Sequence, residues 1–131
     1  MTLWSGAPYE YTAGAGGFVF AAGACPLDEN GVVVEPGNLE AQAERTVDNL
    51  REALAVEGVG FDDLVKVRIY VVGEERADLV RVWNVVSPLL GRVPNTLLGV
   101  SFLGYPDQLV EIEGVAVVAG RLRGGARSST P

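Results

Sequence analysis

The stretch from Val93 to Val118 places the strongest constraint on how this chain can fold. It predicts two apolar strands, Thr96–Leu103 and Leu109–Val118, separated by a Gly-Tyr-Pro-Asp turn. Glu111 and Glu113 lie in the second strand, and both point to the same side because strand side chains alternate between faces. The opposite side carries apolar residues, Val110, Ile112, Ala116 and Val118, and is readily explained as core. A carboxylate pair on so apolar a strand requires a partner, such as a subunit, a ligand or a cation.

The rest of the chain alternates strand and helix patterns. Apolar residues at three- and four-residue spacing predict helices over Leu39–Glu57 and Glu74–Leu90. Further strands are predicted at Tyr9–Thr12, Phe18–Ala24 and Val65–Val72. The order β-β-α-β-α-β-β predicts an α+β fold with both helices packed on one face of a mixed sheet. The other face needs cover, and a second copy of the chain is the simplest candidate, so we expect a homo-oligomer.

Length and charge restrict the possible organisation and partners. The 131 residues, of which 48% are hydrophobic, are enough for one domain. We assign this domain to residues 1–119 and predict that the Gly/Ser-rich tail at residues 120–131 is disordered. A net charge of −7 with a single lysine argues against a nucleic-acid surface. No apolar run approaches the roughly 20 residues of a membrane span, so we expect a cytoplasmic protein without membrane association.

The rarity of histidine and cysteine excludes several chemistries. The chain has no histidine and one cysteine, Cys25, so it cannot assemble a conventional zinc or transition-metal site by itself. A Ser-His or Cys-His nucleophile pair is excluded for the same reason. We expect neither a metal nor another cofactor. Cys25 has no basic neighbour in sequence that would lower its pKa, which predicts a buried, small apolar residue.

Several short motifs occur in a characteristic order along the chain. They are Pro8-Tyr9, Ala22-Gly23-Ala24-Cys25-Pro26, Gln42-Ala43 followed by Asp48-Asn49-Leu50, Asp63-Leu64-Val65-Lys66, and Val110-Glu111-Ile112-Glu113. In this order and at these spacings they resemble the YjgF/RidA family of reactive-intermediate deaminases, formerly called endoribonuclease L-PSP. The resemblance covers roughly residues 6–118.

The resemblance implies a fold, an assembly and a reaction. The fold is chorismate-mutase-like, and three copies form a homotrimer whose sheets make a central barrel with the helices outside. Ligand clefts lie between subunits. In the deaminating members, a glutamate on the last strand positions the water that hydrolyses a 2-imino acid to a 2-oxo acid and ammonia. An arginine at the start of the penultimate strand binds the carboxylate of that substrate.

Several family site positions can be carried over to this sequence. The resemblance places the catalytic glutamate at Glu111 and cleft-lining residues at Tyr9 and Gly23. Leu97 stands where many deaminases have a cysteine, and Trp83 lies near the position of a cleft asparagine in some members. From the residues alone, Glu111 could instead be a structural carboxylate at a subunit interface, and Tyr9 and Trp83 could pack in the core.

Asn95 stands at the position of the substrate-binding arginine. Hydrogen bonds to charged groups are worth about 1.5–3 kcal/mol, and a neutral amide cannot replace a bidentate Arg–carboxylate contact. The expectation of 2-imino acid deamination is therefore weakened. Asn95 could bind a neutral ligand group or cap the turn that follows Pro94. Arg92 or Arg68 could supply the missing charge, although a surface role is the alternative for Arg92.

Two classes of function follow. The leading hypothesis is an enzyme that hydrolyses or tautomerises an imine, an enamine or a related carbonyl metabolite, with Glu111 handling the water or the proton. The alternative is a trimer that binds a small organic metabolite without catalysis, as a binding or regulatory module. Ribonuclease activity is disfavoured by the acidic charge and the lack of histidine.

Overall fold

A computed structural model describes residues 2–118 of the chain. It contains two α-helices and one five-stranded mixed sheet, which confirms the predicted α+β order. The elements are β1 (Thr12–Ala15), β2 (Phe18–Ala24), α1 (Leu39–Val56), β3 (Leu64–Val71), α2 (Arg76–Leu90), β4 (Asn95–Gly99) and β5 (Val110–Val117). The tail predicted at residues 120–131 lies outside the described residues.

The sheet has the strand order β1-β2-β5-β3-β4, so β5 lies at its centre. All neighbouring strands are antiparallel except β3 and β4, which are parallel and are connected by α2. The core-facing residues of β5, which include Val110, Ile112 and Ala116, are completely buried in the cluster that also contains the apolar side of both helices. Both helices therefore pack on one face of the sheet, as predicted.

The first strand begins later than the sequence pattern predicts. The prediction of a strand at Tyr9–Thr12 is wrong, because β1 runs from Thr12 to Ala15 through the glycine-rich segment. The chain turns at Gly16 and Gly17, whose φ angles of 59° and 85° suit the two central residues of a tight hairpin. The two glycines therefore form the turn between the paired strands β1 and β2.

The fourth strand ends earlier than predicted. The sequence pattern extends to Leu103, but β4 stops at Gly99. Among the described strands its neighbour is β3, and the last pair between the two strands joins Val71 to Gly99. The backbone N–H of Val100 still donates to the carbonyl oxygen of Val71, and the apolar residues that follow Val100 form a loop. Phe102 in this loop is 81% exposed.

Two buried amide side chains on α1 connect the helix to irregular segments. Gln42 Nε2 donates to the carbonyl oxygens of Glu35 and Asp107, while its Oε1 accepts from the backbone N–H of Leu109. Asn49 Nδ2 donates to the carbonyl oxygens of Cys25 and Leu27. These amides replace the hydrogen bonds that the segments cannot obtain from a regular sheet.

The second face of the sheet is uncovered in a single chain. Phe18 and Phe20 on β2 are 36% and 48% exposed, and their rings lie 6.2 Å apart. Lys66, Arg68 and Glu113 lie on the same face and, with Phe20, line a shallow depression of about 320 Å³. Within residues 2–118, neither helix is long and apolar enough to cross a membrane.

Replacing Gln42 by leucine tests whether its amide holds the entry to β5. Three backbone groups would lose their partner inside the protein, which we expect to lower the free energy of unfolding by roughly 2–4 kcal/mol. The measurement is urea unfolding at one fixed chain concentration. Glu44→Leu is the matched control, because Glu44 is exposed on the same helix. Equal stability of the two variants would contradict this role.

Candidate functional site

A cleft of about 490 Å³ opens beside the start of β5. We call it the Glu111 cleft. Its lining includes Tyr9, Gly23, Cys25, Gly104, Tyr105 and Glu111. They come from the segment before β1, the end of β2, the loop between β4 and β5, and β5 itself. Three of the residues predicted for the site, Tyr9, Gly23 and Glu111, therefore lie together in one protomer.

The carboxylate of Glu111 is held by one of its two oxygens. Oε1 accepts a hydrogen bond from Gln108 Nε2 at 3.1 Å and faces the Cys25 thiol at 3.6 Å. Within residues 2–118, no hydrogen bond is made to Oε2. One oxygen thus fixes the orientation of the group, and the other is available to accept a proton or a hydrogen bond.

Gly23 allows this carboxylate to approach the backbone of β2. A Cβ atom placed on Gly23 would lie 2.0 Å from Glu111 Oε2 and 2.6 Å from its Cδ. The strand register shifts here, since the pair Ala21–Gly114 is followed by Ala24–Ile112 and leaves two residues of β2 opposite one of β5. Such a bulge redirects local side chains and is frequent beside active sites. While the Glu111 side chain keeps this position, a residue without a side chain is required at position 23.

Gln108 connects the cleft loop to the carboxylate. Its side chain is buried, and its Nε2 donates both to Glu111 Oε1 and to the carbonyl oxygen of Val110. Its Oε1 accepts from the backbone N–H of Tyr105 at 3.1 Å. Because the same amide hydrogen-bonds to the backbone of Tyr105 and to the carboxylate of Glu111, the position of Tyr105 is coupled to that of Glu111.

Two tyrosine hydroxyls meet at the cleft. The oxygens of Tyr9 and Tyr105 lie 3.2 Å apart and share a hydrogen bond. Partial burial, and then this hydrogen bond, raise the pKa of Tyr9 above its usual value. Tyr9 is therefore a neutral phenol at neutral pH, able to donate or accept a hydrogen bond but not to supply charge.

Cys25 is buried at the inner side of the cleft, which confirms the prediction of a buried small residue. Burial, together with the negative charge of Glu111, raises the pKa of its thiol from 9.0 to about 12. The thiol therefore remains protonated and can donate to Glu111 Oε1. No group of three His, Cys, Asp or Glu side chains in the described part of the chain could hold a metal ion.

Three further predicted site residues lie outside the Glu111 cleft of one protomer. Asn95 starts β4, and its Nδ2 donates to the carbonyl oxygen of Val93 at 2.9 Å, which is the turn-capping geometry. Leu97 packs against the core on the helix side of the sheet. Trp83 on α2 is 39% exposed, so the core interpretation of this residue is wrong. The predictions of ligand contact for these residues stay predictions.

Neither of the two arginines proposed as substitutes lines the Glu111 cleft. Arg68 Nη1 lies 3.0 Å from Glu113 Oε1 on the uncovered face of the sheet, and the Tyr70 hydroxyl donates to the same oxygen. Glu113 therefore has a partner within the chain, and its charge is compensated there. Arg92 is exposed directly after α2.

Comparison with known proteins decides the family. The model of the endoribonuclease L-PSP family matches residues 3–118, nearly the whole described chain. The chain belongs to the YjgF/RidA family. It is 31% identical to a RutC family protein of Pyrococcus abyssi over 111 residues, which are 83% of this chain and 85% of the relative.

Solved structures of similar proteins agree with this assignment. A protein from Thermotoga maritima, described as a putative endoribonuclease, matches with a TM-score of 0.78 and 30% identity, covering 89% of this chain and 91% of its own. YyfB of Yersinia pestis, described as a Rid family protein of unknown function, matches with a TM-score of 0.73 and 30% identity over 79% and 80% of the two chains. Membership of the YjgF/RidA family supports a role connected with small molecules.

Two site residues of this YjgF/RidA member escaped the sequence reasoning. Tyr105 was read only as part of a turn, and Gln108 was not considered. A signal existed for each: an aromatic residue within a Gly-Tyr-Pro-Asp turn, and an uncharged amide three residues before a strand carboxylate. Exposing an aromatic residue without a contact is energetically unfavourable, and an uncharged amide can hydrogen-bond to buried polar groups.

Gly23→Ala tests the contact between the two strands. The added methyl group overlaps Glu111 Oε2, so we expect a loss of about 1–3 kcal/mol in the free energy of unfolding. Gly104→Ala is the matched control, because a Cβ there has no atom within 4 Å. Removing the obstructing carboxylate in Gly23→Ala/Glu111→Ala should recover most of the loss. Additive effects in this double-mutant cycle would refute the contact.

Alkylation of Cys25 by iodoacetamide tests the environment of its thiol. Because the pKa is raised to about 12, the rate should rise about tenfold per pH unit from about pH 7 to pH 10, without a plateau. The urea-unfolded chain, with the same single thiol, should level off near its ordinary pKa of 9.0. Glu111→Gln should accelerate alkylation at a given pH, since one cause of the raised pKa is removed. A plateau below pH 9 in the folded protein would contradict the assignment.

Proposed function

We propose that this protein is an enzyme that hydrolyses or tautomerises an imine, an enamine or a related carbonyl metabolite in the Glu111 cleft. The observation that carries the proposal is the state of the Glu111 carboxylate. One oxygen is fixed by Gln108 and Cys25, while Oε2 makes no hydrogen bond within residues 2–118. A general base needs this combination of fixed orientation and an available oxygen.

Hydrolysis of an imine can be written with this base alone. The substrate enters as the protonated imine. A water molecule hydrogen-bonded to Glu111 attacks the imine carbon, so that a C–O bond forms, the C=N electron pair moves to nitrogen, and one water proton passes to the carboxylate. Glu111 then returns this proton to the nitrogen of the carbinolamine. The C–N bond breaks with its electron pair on nitrogen, the carboxylate takes the hydroxyl proton as the C=O bond forms, and ammonia leaves with that proton as ammonium. The phenols of Tyr9 and Tyr105 supply hydrogen bonds to the substrate.

We infer that the working form is a homotrimer with clefts between subunits. The uncovered face of the sheet, with Phe18 and Phe20 partly exposed, supports an interface between copies. The arrangement of the site supports it as well. Asn95 and Leu97 belong to the edge strand β4 and lie on the helix side of the sheet, whereas Glu111 lies on the other side. Contact of both sets with one ligand requires two copies.

A second candidate function is metabolite binding without catalysis. The observation that favours it is Asn95, which occupies the arginine position and uses its amide on the carbonyl oxygen of Val93. Without a cation at this position, a substrate carboxylate loses its strongest anchor. A regulatory or carrier module would retain the cleft and need no base.

An imine hydrolysis assay separates these functions. A 2-imino acid is generated in situ by an amino-acid oxidase and an imine without a carboxylate by an amine oxidase, and the acceleration of carbonyl formation is measured for each. We expect Glu111→Gln to lower any acceleration by about 10²-fold or more, because general base catalysis is lost. Glu29→Gln removes the same charge at an exposed turn and is the control.

Asn95→Arg extends the same assay. Restoring the charge should improve turnover of the 2-imino acid by about 10- to 150-fold, the equivalent of a charged hydrogen bond, and leave the other imine unaffected. Full turnover in Glu111→Gln would refute the proposed mechanism. If wild type and Asn95→Arg are both inactive while a metabolite raises the melting temperature, the binding module is favoured.

A further inference from the structure

The charged groups that line the Glu111 cleft do not suit a ligand that carries a carboxylate. Among the lining side chains of residues 2–118, that of Glu111 is the one carboxylate, while the raised pKa values of Tyr9 and of the Cys25 thiol keep both of these groups neutral. Within residues 2–118, no lysine or arginine lines it. A ligand carboxylate placed here would meet the like charge of Glu111 with no cation from the same protomer's lining to compensate it, at a cost that partial burial increases.

Aromatic rings line the same cleft as this carboxylate. Tyr9 and Tyr105 line the cleft and are joined through their hydroxyls. Each is backed by a second ring in edge-to-face contact: Tyr11 lies 5.8 Å from Tyr9, and Trp4 lies 6.5 Å from Tyr105, both between ring centroids. Tyr11 is itself fixed by a hydrogen bond from its hydroxyl to the carbonyl oxygen of Trp4. The four rings form one connected cluster.

Aromatic rings beside a carboxylate form a recognised environment for organic cations. The negative faces of the rings attract a cation whose charge is spread over alkyl or planar nitrogen groups, and the carboxylate neutralises it. The net charge of −7 favours the approach of such ligands over anions. The two cations described on the same side of the sheet are engaged elsewhere, since Arg68 pairs with Glu113 and Lys66 Nζ donates to Thr96 Oγ1.

We propose that the Glu111 cleft selects organic cations, such as ammonium, amidinium or iminium groups, and excludes carboxylates. Tyr9 and Tyr105 supply the aromatic contacts and Glu111 the opposite charge. The inference rests on the proposed function in using the same cleft, and it narrows the substrate to the protonated imine of an amine without a carboxylate. The presence of Asn95 at the position of the family's arginine is then part of the same preference for cations over carboxylates.

Three probes of nearly equal shape test the charge preference directly. They are the choline cation, its neutral carbon analogue 3,3-dimethylbutan-1-ol, and the anion 3,3-dimethylbutanoate. Binding of each to the full chain is measured by calorimetry at low and at physiological salt. We expect choline to bind at least about tenfold more tightly than the neutral analogue. The anion should show no binding, and added salt should weaken choline binding alone.

Variants identify the groups that create the preference. Glu111→Gln keeps the shape of the side chain and should reduce the preference for choline over the alcohol to near unity. Glu29→Gln removes an equal charge elsewhere and should leave it unchanged. Tyr105→Leu retains apolar volume but no aromatic ring, so it should weaken choline binding by about threefold to tenfold and alcohol binding much less. Melting temperatures identify any variant that fails to fold.

Equal affinity for choline and the alcohol, tighter binding of the anion, or no binding of any probe would overturn the inference. The measurement involves no turnover, so its outcome is independent of catalysis. A protein that hydrolyses imines but binds the anion retains the proposed function and loses this inference. A protein that prefers the cation but hydrolyses nothing retains the inference and loses the enzymatic function.

Discussion

The site depends on two buried amides of α1, Gln42 and Asn49. Each satisfies backbone groups in a segment where the sheet cannot do so: Asn49 holds the chain at Cys25 just after β2, and Gln42 holds Asp107 and Leu109 just before β5. These are the segments that bring Cys25 and Glu111 to the same cleft. The helix motif that contains both amides is thus part of the scaffold of the site, although neither amide touches the cleft.

The second level of organisation is a chain of contacts around the carboxylate. Gln108 joins Glu111 to the backbone of Tyr105, and Tyr105 joins Tyr9 through its hydroxyl. Residues separated by almost the whole length of the folded chain are therefore positioned by three consecutive hydrogen bonds. In such a network each member limits the freedom of the next, so the cleft has a defined shape before any ligand arrives.

The sequence predicted the fold well because its strongest signals are periodic. Helical spacing in α1 and α2 and alternation in β5 survive tertiary packing, and the family motifs added the topology. Errors arose where a local pattern is compatible with two structures: the glycine-rich segment up to Gly17 belongs to a paired hairpin, and the apolar residues after Val100 form a loop instead of continuing the strand. Tyr9, Gly23 and Glu111 were found through the resemblance, whereas Gln108 and Tyr105 act through contacts between distant segments, which no local pattern reveals.

The close approach of Glu111 to Gly23 also bears on how such a protein can change over time. A side chain at Gly23 cannot be accommodated while the carboxylate occupies its present place, because the two would share the same space. Substitution of Gly23 therefore requires that the Glu111 side chain first move or be lost. A lineage that gave up the acid could fill the space with a methyl group, and an acid restored later would have to adopt a different rotamer from the present one.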